Sequence, residues 1–432
     1  MKLLIQNGQV IDPASQTNEI LDILVENGII VKIAKNIIDE ADKVIDATGN
    51  WVTPGFIDVH VHLREPGYEY KETIATGTRS AAKGGFTTIC PMPNTNPVCD
   101  SDIMVEYIKL KAEREGIVHV LPIGAITKGQ KGEELSNIGK MAKAGACAIS
   151  EDGKSVSSSG LLKTAMKYAK MFDIPVLSHC EDIALVSGGC MNAGSTAQLL
   201  GLKGISNDSE EVIVARDMIL AKSTDSKLHI CHMSTKGSVE LLRQAKLSGQ
   251  NVTAEATPHH FTLSDDFITD YDGNTKMNPP LRSKEDVLAI RQALKENIIE
   301  IIATDHAPHS IDEKNCEYEK AAFGIVGLET ALPLGITVLV EENWLTPMEL
   351  IAKMTWNPAK MLGIDKGTLT VGKAADITII NPKESYKIDT STFASKSKNS
   401  PFEGFDVKGK VLYTIVDGDI VLENGKLVEE LA

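Results

Sequence analysis

The sequence predicts an α/β chain: a (β/α)8 barrel of the TIM type, carrying a β-sandwich assembled from the two chain ends. Three observations point there. Eight apolar, β-rich runs alternate with helical patterns through the middle of the chain, as a parallel sheet requires. Both ends break instead into short strands separated by turn signals. The 432 residues exceed one ordinary compact domain but suit a large barrel with a smaller companion.

Taken in order, residues 1–52 contain L-L-I-Q-N-G-Q-V-I-D and I-L-V-E-N-G-I-I-V-K-I, and residues 366–432 contain A-D-I-T-I-I-N-P and V-L-Y-T-I-V-D-G-D-I-V-L-E-N-G-K-L. Neither end alone has enough strands to bury a face, so the two are expected to pair as halves of one sandwich. Residues 53–365 hold the barrel. Its expected strands are F-I-D-V-H-V-H from Phe56, T-T-I-C-P-M-P-N from Thr87, H-V-L-P-I-G-A-I-T from His119 and A-C-A-I-S-E-D from Ala146. P-V-L-S-H-C-E-D from Pro175, K-L-H-I-C-H-M-S from Lys227, V-T-A-E-A-T-P-H-H from Val252 and I-I-E-I-I-A-T-D-H-A-P-H from Ile298 complete them. Helical patterns lie between, over 133–145, 208–225, 236–249 and 283–297. An open doubly wound sheet lacks its signature here, because no G-x-G-x-x-G or Walker motif opens a helix after the first strand.

Composition narrows the function. Apolar residues make up 42% and charged residues 24%, the balance of a globular enzyme. A formal charge of -15 argues against nucleic acid and anionic membrane surfaces, which are bound through excess Lys and Arg. Seven cysteines without a C-x-x-C pair read as reduced thiols. The N-terminus turns polar too soon for a signal peptide, and no run of about 18 apolar residues suggests a span. The expected location is cytoplasmic.

His60 and His62 share one face of the first barrel strand, with Cα atoms roughly 6 to 7 Å apart, close enough to hold one metal ion. Packing alone does not call for two imidazoles on one buried face. Arg64 continues that face as a fixed cation suited to an anionic substrate. Asp152, His179, His232 and Asp305 stand at the ends of strands four, five, six and eight, where a barrel places its catalytic groups. Each alone has a plain alternative: a satisfied polar histidine, or an aspartate shaping the E-D-G turn. Together they are a donor set for zinc or a similar divalent ion. Six ligands are too many for one tetrahedral ion with an open position, whereas two metals sharing a carboxylate would use them all. Asn94, Asn278 and His309 with Arg64 read as a clamp for carboxylate and amide groups. His119 and His229 fall early in their strands and read as structural, His306 faces the helix layer, and Cys180 and Cys231 read as buried thiols.

D-V-H-V-H-L-R-E-P-G, Y-K-E-T-I-A-T-G, G-G-F-T-T-I-C-P-M-P-N-T, S-H-C-E-D, M-N-P-P-L-R, A-T-D-H-A-P-H and F-G-I-V-G-L-E-T resemble the dihydroorotases of the bacterial class I type, within the amidohydrolase superfamily. The resemblance covers essentially the whole chain. It implies reversible, zinc-dependent cyclisation of N-carbamoyl-L-aspartate to L-dihydroorotate in pyrimidine synthesis. It further implies two Zn2+ per chain, one held by His60, His62 and Asp305 and the other by His179 and His232, with Asp152 bridging. Asp305 would be the catalytic base and acid, and His62, Arg64, Asn94, Asn278 and His309, with the backbone at Phe323 and Gly324, would bind substrate. Hydantoinases and allantoinases bridge their metals with a carboxylated lysine; here the fourth strand ends A-I-S-E-D-G, and Lys143 and Lys154 lie off the rim. Ala322 stands where proline is common before F-G-I. A homodimer is implied by the resemblance, association with an aspartate carbamoyltransferase stays open, and residues 310–326 are an expected lid.

Overall fold

The computed structural model describes residues 2–428; Met1 and 429–432, inside the two expected end segments, lie outside the described residues. Nine strands from the two ends form one continuous sheet. Lys2–Asp12 pairs antiparallel with Thr17–Glu26, which pairs with Ile29–Ala34; on its other edge it pairs in parallel with Lys43–Asp46 and Trp51–Pro54. Trp51–Pro54 pairs antiparallel with Ile377–Lys387, and through it with Asp406–Val416, Asp419–Glu423 and Lys426–Leu427. Two-residue turns at Asn27-Gly28, Asp417-Gly418 and Asn424-Gly425 connect three of its hairpins. All six turn residues have positive φ, which this dipeptide chemistry tolerates.

The ladder slips between Ile5 and Gly8, so the two halves of the first strand can pair with different neighbours. A Cβ on Gly8 would lie 2.3 Å from Val52 Cγ2. The sheet encloses its own core of Leu3, Ile5, Val10, Ile23, Val52, Ile377, Ile379 and Ile415.

The barrel strands run in sequence order. Phe56–Val61, Phe86–Pro91 and His119–Val120 form one parallel group, and Ile123–Ala125, Ala148–Ser150, Val176–Ser178, Leu228–Ile230, Val252–Ala256 and Ile301–Ile302 the other. The third expected strand is therefore split in two around Leu121 and Pro122: one half pairs with its predecessor, the other with its successor. The ring closes where Val61 bridges His306 in parallel and the His62 N–H donates to the His306 carbonyl at 2.8 Å.

Other boundaries also move from the sequence expectation. The seventh strand stops at Ala256 and a helix, Pro258–Thr262, begins with proline at its first turn, so His259 and His260 are helical. The helix expected over 133–145 is only Ile138–Ala144, because Asn137 caps it by accepting from the Lys140 N–H. Asp208–Thr224, Lys236–Leu247 and Lys284–Lys295 match their patterns closely. Among the described residues, no helix is long and apolar enough to cross a membrane.

Barrel and sandwich meet where the Thr378 hydroxyl donates to the Gly85 carbonyl at 2.7 Å, beside Phe56 and Phe86 of neighbouring barrel strands, which pack edge to face with centroids 5.6 Å apart. Replacing the fully buried Phe56 by alanine should cost about 3–5 kcal/mol of stability. Denaturant unfolding would read this, and a loss under about 1 kcal/mol would show that the junction does not depend on that ring.

Candidate metal centre

Each candidate ligand sits at, or within three residues beyond, the C-terminal end of a parallel strand. His60 and His62 end the first strand, Asp152 follows Ala148–Ser150, His179 follows Val176–Ser178, His232 follows Leu228–Ile230 and Asp305 follows Ile301–Ile302. None of the six is more than 7% exposed. Two of them, with Arg64, have left-handed backbones unusual for their residue types: φ is 61° at Arg64, 30° at His232 and 49° at Asp305. Such conformations cost on the order of 1–3 kcal/mol each and persist where surrounding structure enforces them.

Asp152 lies at the centre. Its Oδ1 is 3.3 Å from His60 Nε2, 3.6 Å from His179 Nδ1 and 3.8 Å from His232 Nε2, and its Oδ2 is 3.3 Å from His62 Nε2. Asp305 Oδ1 is 3.1 Å from His62 Nε2 and 3.4 Å from His60 Nε2. The donors fall into overlapping groups: His60, His62 and Asp152; Asp152, His179 and His232; His60, His232 and Asp305. His60 Nε2 and Asp152 Oδ1 are buried without a hydrogen-bond partner, a costly condition that a shared cation relieves. Burial opposes charge on both carboxylates, but the imidazoles outweigh it, holding Asp152 well below its ordinary range and Asp305 at about 2. The nitrogen and oxygen donors fit a borderline divalent ion, and this chain can hold metal here.

A second layer orients the imidazoles, and the sequence reading missed its main member. Glu255, fully buried on the seventh strand, accepts from His60 Nδ1–H at 2.6 Å, from His229 Nε2–H at 2.9 Å and from the His232 backbone N–H at 3.1 Å. It thereby fixes His60 with Nε2 toward Asp152. A carboxylate amid alanines in V-T-A-E-A was the available signal, since a buried strand rarely keeps an acid without a partner. His229 is structural as expected, but it works through the same carboxylate. Glu181, also missed, stands 3.4 Å from His179 Nε2 and accepts from Asn278 Nδ2 at 2.8 Å, so Asn278 acts on His179 at one remove. Asn94 Oδ1 accepts from His62 Nδ1–H at 2.9 Å, turning Nε2 toward the carboxylates.

Beside these lies the cationic side of the site. Arg64 Nε donates to the Pro308 carbonyl at 3.1 Å and its Nη2 is 3.2 Å from His309 Nε2. His309 Nε2–H donates to the Phe323 carbonyl at 2.8 Å. Burial, then Arg64 and Lys71, hold His309 neutral with a pKa of about 2. The Gly324 N–H donates to the Lys276 carbonyl at 3.0 Å. His306 turns outward, 3.3 Å from Glu72, and His119 lies at the sandwich border near Asp376 and Asp417. Cys180 and Cys231 are buried, with thiol pKa values raised by burial. Lys154 Nζ donates to the Gln130 carbonyl at 3.0 Å.

The chain matches a dihydro-orotase-like family model over residues 49–238 and an amidohydrolase family model over residues 285–422. It is 54% identical to a dihydroorotase of Acetivibrio thermocellus over 426 residues, covering 99% of this chain and all of that one. The dihydroorotase of Geobacter metallireducens is 53% identical over 422 residues, covering 98% and 99%.

The chain belongs to the dihydroorotase family.

The solved L-hydantoinase (dihydropyrimidinase) of Arthrobacter aurescens superposes with a TM-score of 0.90 at 28% identity, covering 98% of this chain and 97% of that one. The dihydropyrimidinase of Brevibacillus agri, at 23% identity and a TM-score of 0.88 over 99% and 96%, shares the fold. The family's members are cyclic amide hydrolases, and the orientation of His60 by Glu255 bears directly on their metal chemistry. Glu255→Gln should weaken metal binding about 10- to 100-fold, read by chelator competition. Unchanged affinity would remove Glu255 from that role.

Proposed function

We propose that this chain is a dihydroorotase, catalysing the reversible closure of N-carbamoyl-L-aspartate to L-dihydroorotate and water in pyrimidine synthesis. The observation that carries the reading is Asp152 amid four imidazoles, with Arg64 and His309 beside it, in a chain over half identical to named dihydroorotases. In this proposal His60, His62 and Asp305 would hold one Zn2+, His179 and His232 would hold a second, and Asp152 would serve both. Bound zinc would supply a water of lowered pKa and polarise the scissile carbonyl.

The chain's own groups do the rest. Asp305 is ionised near neutral pH, so in the hydrolytic direction it can take a proton from the attacking water and pass it to the departing ring nitrogen. One carboxylate serves as base and then acid. The Arg64 fork matches the substrate carboxylate. With Asn94 Oδ1 engaged by His62, its amide nitrogen is left to donate to substrate. Neutral His309 adds directionality without charge, alongside the backbone at Phe323 and Gly324.

The proposal takes residues 1–52 and 366–432 as one sandwich domain and 53–365 as the barrel, supported by the sheet that joins both ends. It includes a homodimer and a cytoplasmic location, and is compatible with association with an aspartate carbamoyltransferase. Stripping metal, restoring zinc and following dihydroorotate, hydantoin and allantoin turnover in parallel tests it. Activity should return on dihydroorotate at two zinc ions per chain; preference for hydantoin or allantoin would overturn the assignment. Asp305→Asn should keep most of its metal and lose about 10²- to 10⁴-fold in kcat. Near-normal turnover in that variant would exclude Asp305 as the proton carrier.

A further inference from the structure

The stretch after the last barrel strand contains a buried lysine that the reaction chemistry does not use. Lys314 ends the short helix Ile311–Lys314, and only 4% of it is exposed. Its ammonium donates to three backbone carbonyls, those of Ala322 at 2.7 Å, Gly324 at 2.8 Å and Lys276 at 3.0 Å. Three N–H groups meet three acceptors, so the group is saturated without a carboxylate. Burial, then the neighbouring Lys276, lowers its pKa to about 7. A cation kept under that strain is unusual, because lysines are almost never fully buried without a paired charge.

The three carbonyls belong to two loops that the proposed function needs. Lys276 lies two residues before Asn278, and Ala322 and Gly324 flank Phe323. The Gly324 N–H also donates to the Lys276 carbonyl, so the loops are already joined by backbone. Gly324 has φ +133°, and a Cβ there would lie 2.6 Å from Ala307 Cβ and 3.2 Å from His309 Nε2. From a different segment, Asn399 Nδ2 donates to the same Gly324 carbonyl at 3.0 Å and to the Ala307 carbonyl at 3.1 Å, while its Oδ1 accepts from the His309 N–H at 3.1 Å. Gly324 O is thus a node held from two sides, and the His309–Phe323 hydrogen bond hangs from it.

We propose that Lys314, with Asn399 opposite it, is a positioning residue for substrate binding. By gathering the carbonyls of both loops it holds the Phe323–Gly324 backbone and His309 in the arrangement that seats the substrate carboxylate against Arg64. The proposal rests on the dihydroorotase reading above. Its bonds lie among loops and not within the apolar core, so their loss should alter substrate affinity more than folding.

The test is steady-state kinetics on dihydroorotate with the zinc-loaded full chain, comparing the unchanged protein with Lys314→Met and Asn399→Ala, alongside zinc content and melting temperature. Both variants should raise KM about tenfold or more while kcat falls no more than about threefold and zinc content is unchanged, the signature of lost substrate binding. If Lys314→Met does not fold, Asn399→Ala, which removes the second donor to the same carbonyl together with the bonds to the Ala307 carbonyl and the His309 N–H, carries the comparison. A lower melting temperature with KM within twofold of the unchanged protein would mean a merely structural role and overturn the proposal. Absence of dihydroorotate turnover in the unchanged protein would instead overturn the function reading, and this inference with it.

Discussion

The structure depends on a carboxylate placed where four imidazoles converge. Asp152, buried and within 3.3–3.8 Å of His60, His62, His179 and His232, is stable only if the positive charge around it exceeds the cost of burying it. Four strands supply those groups, and no local segment could bring them together. A parallel barrel does so because every strand delivers its C-terminal end to one rim. The strained backbones at Arg64, His232 and Asp305 are on this rim, where the geometry is imposed by neighbours and not chosen by the chain locally.

Around this centre the acids do different work by position. Asp58, beneath the site, accepts from the N–H groups of His60 and Thr304 and so ties the first strand to the eighth, while burial pushes its carboxyl up to about 7. Glu255 is held as an anion, well below the ordinary range, because His60 and His229 outweigh its burial. Burial alone therefore does not decide charge; the partner set does. The chain's -15 formal charge would repel an anionic substrate, and Arg64, whose Nη2 is 3.2 Å from His309 Nε2, supplies a local cation at the site.

Much was legible from sequence where the signal is periodic or chemical. The Asn-Gly and Asp-Gly turns fixed three hairpins of the end sheet, and the H-x-H pair located the candidate metal face, since strand period two puts alternate residues on one side. Less was legible where one residue overrides its neighbours. Pro258 ended a strand whose pattern continued, Asn137 shortened a helix whose pattern began earlier, and the third strand divides its two halves between two partners, which no single run of residues reveals.

By itself, then, the sequence determined the alternation of strands and helices, six candidate donors and the family its motifs resemble, because these follow from residue type and spacing. Tertiary structure alone decided which atoms meet. That Asp152 is central, that Glu255 aims His60, that Asn94 and Asn278 engage His62 and Glu181, and that Asn399 reaches the carbonyl Lys314 holds all depend on contacts between residues tens to hundreds of positions apart. Such contacts leave no periodic trace, since each is fixed by how the closed barrel brings separate loops to the same rim.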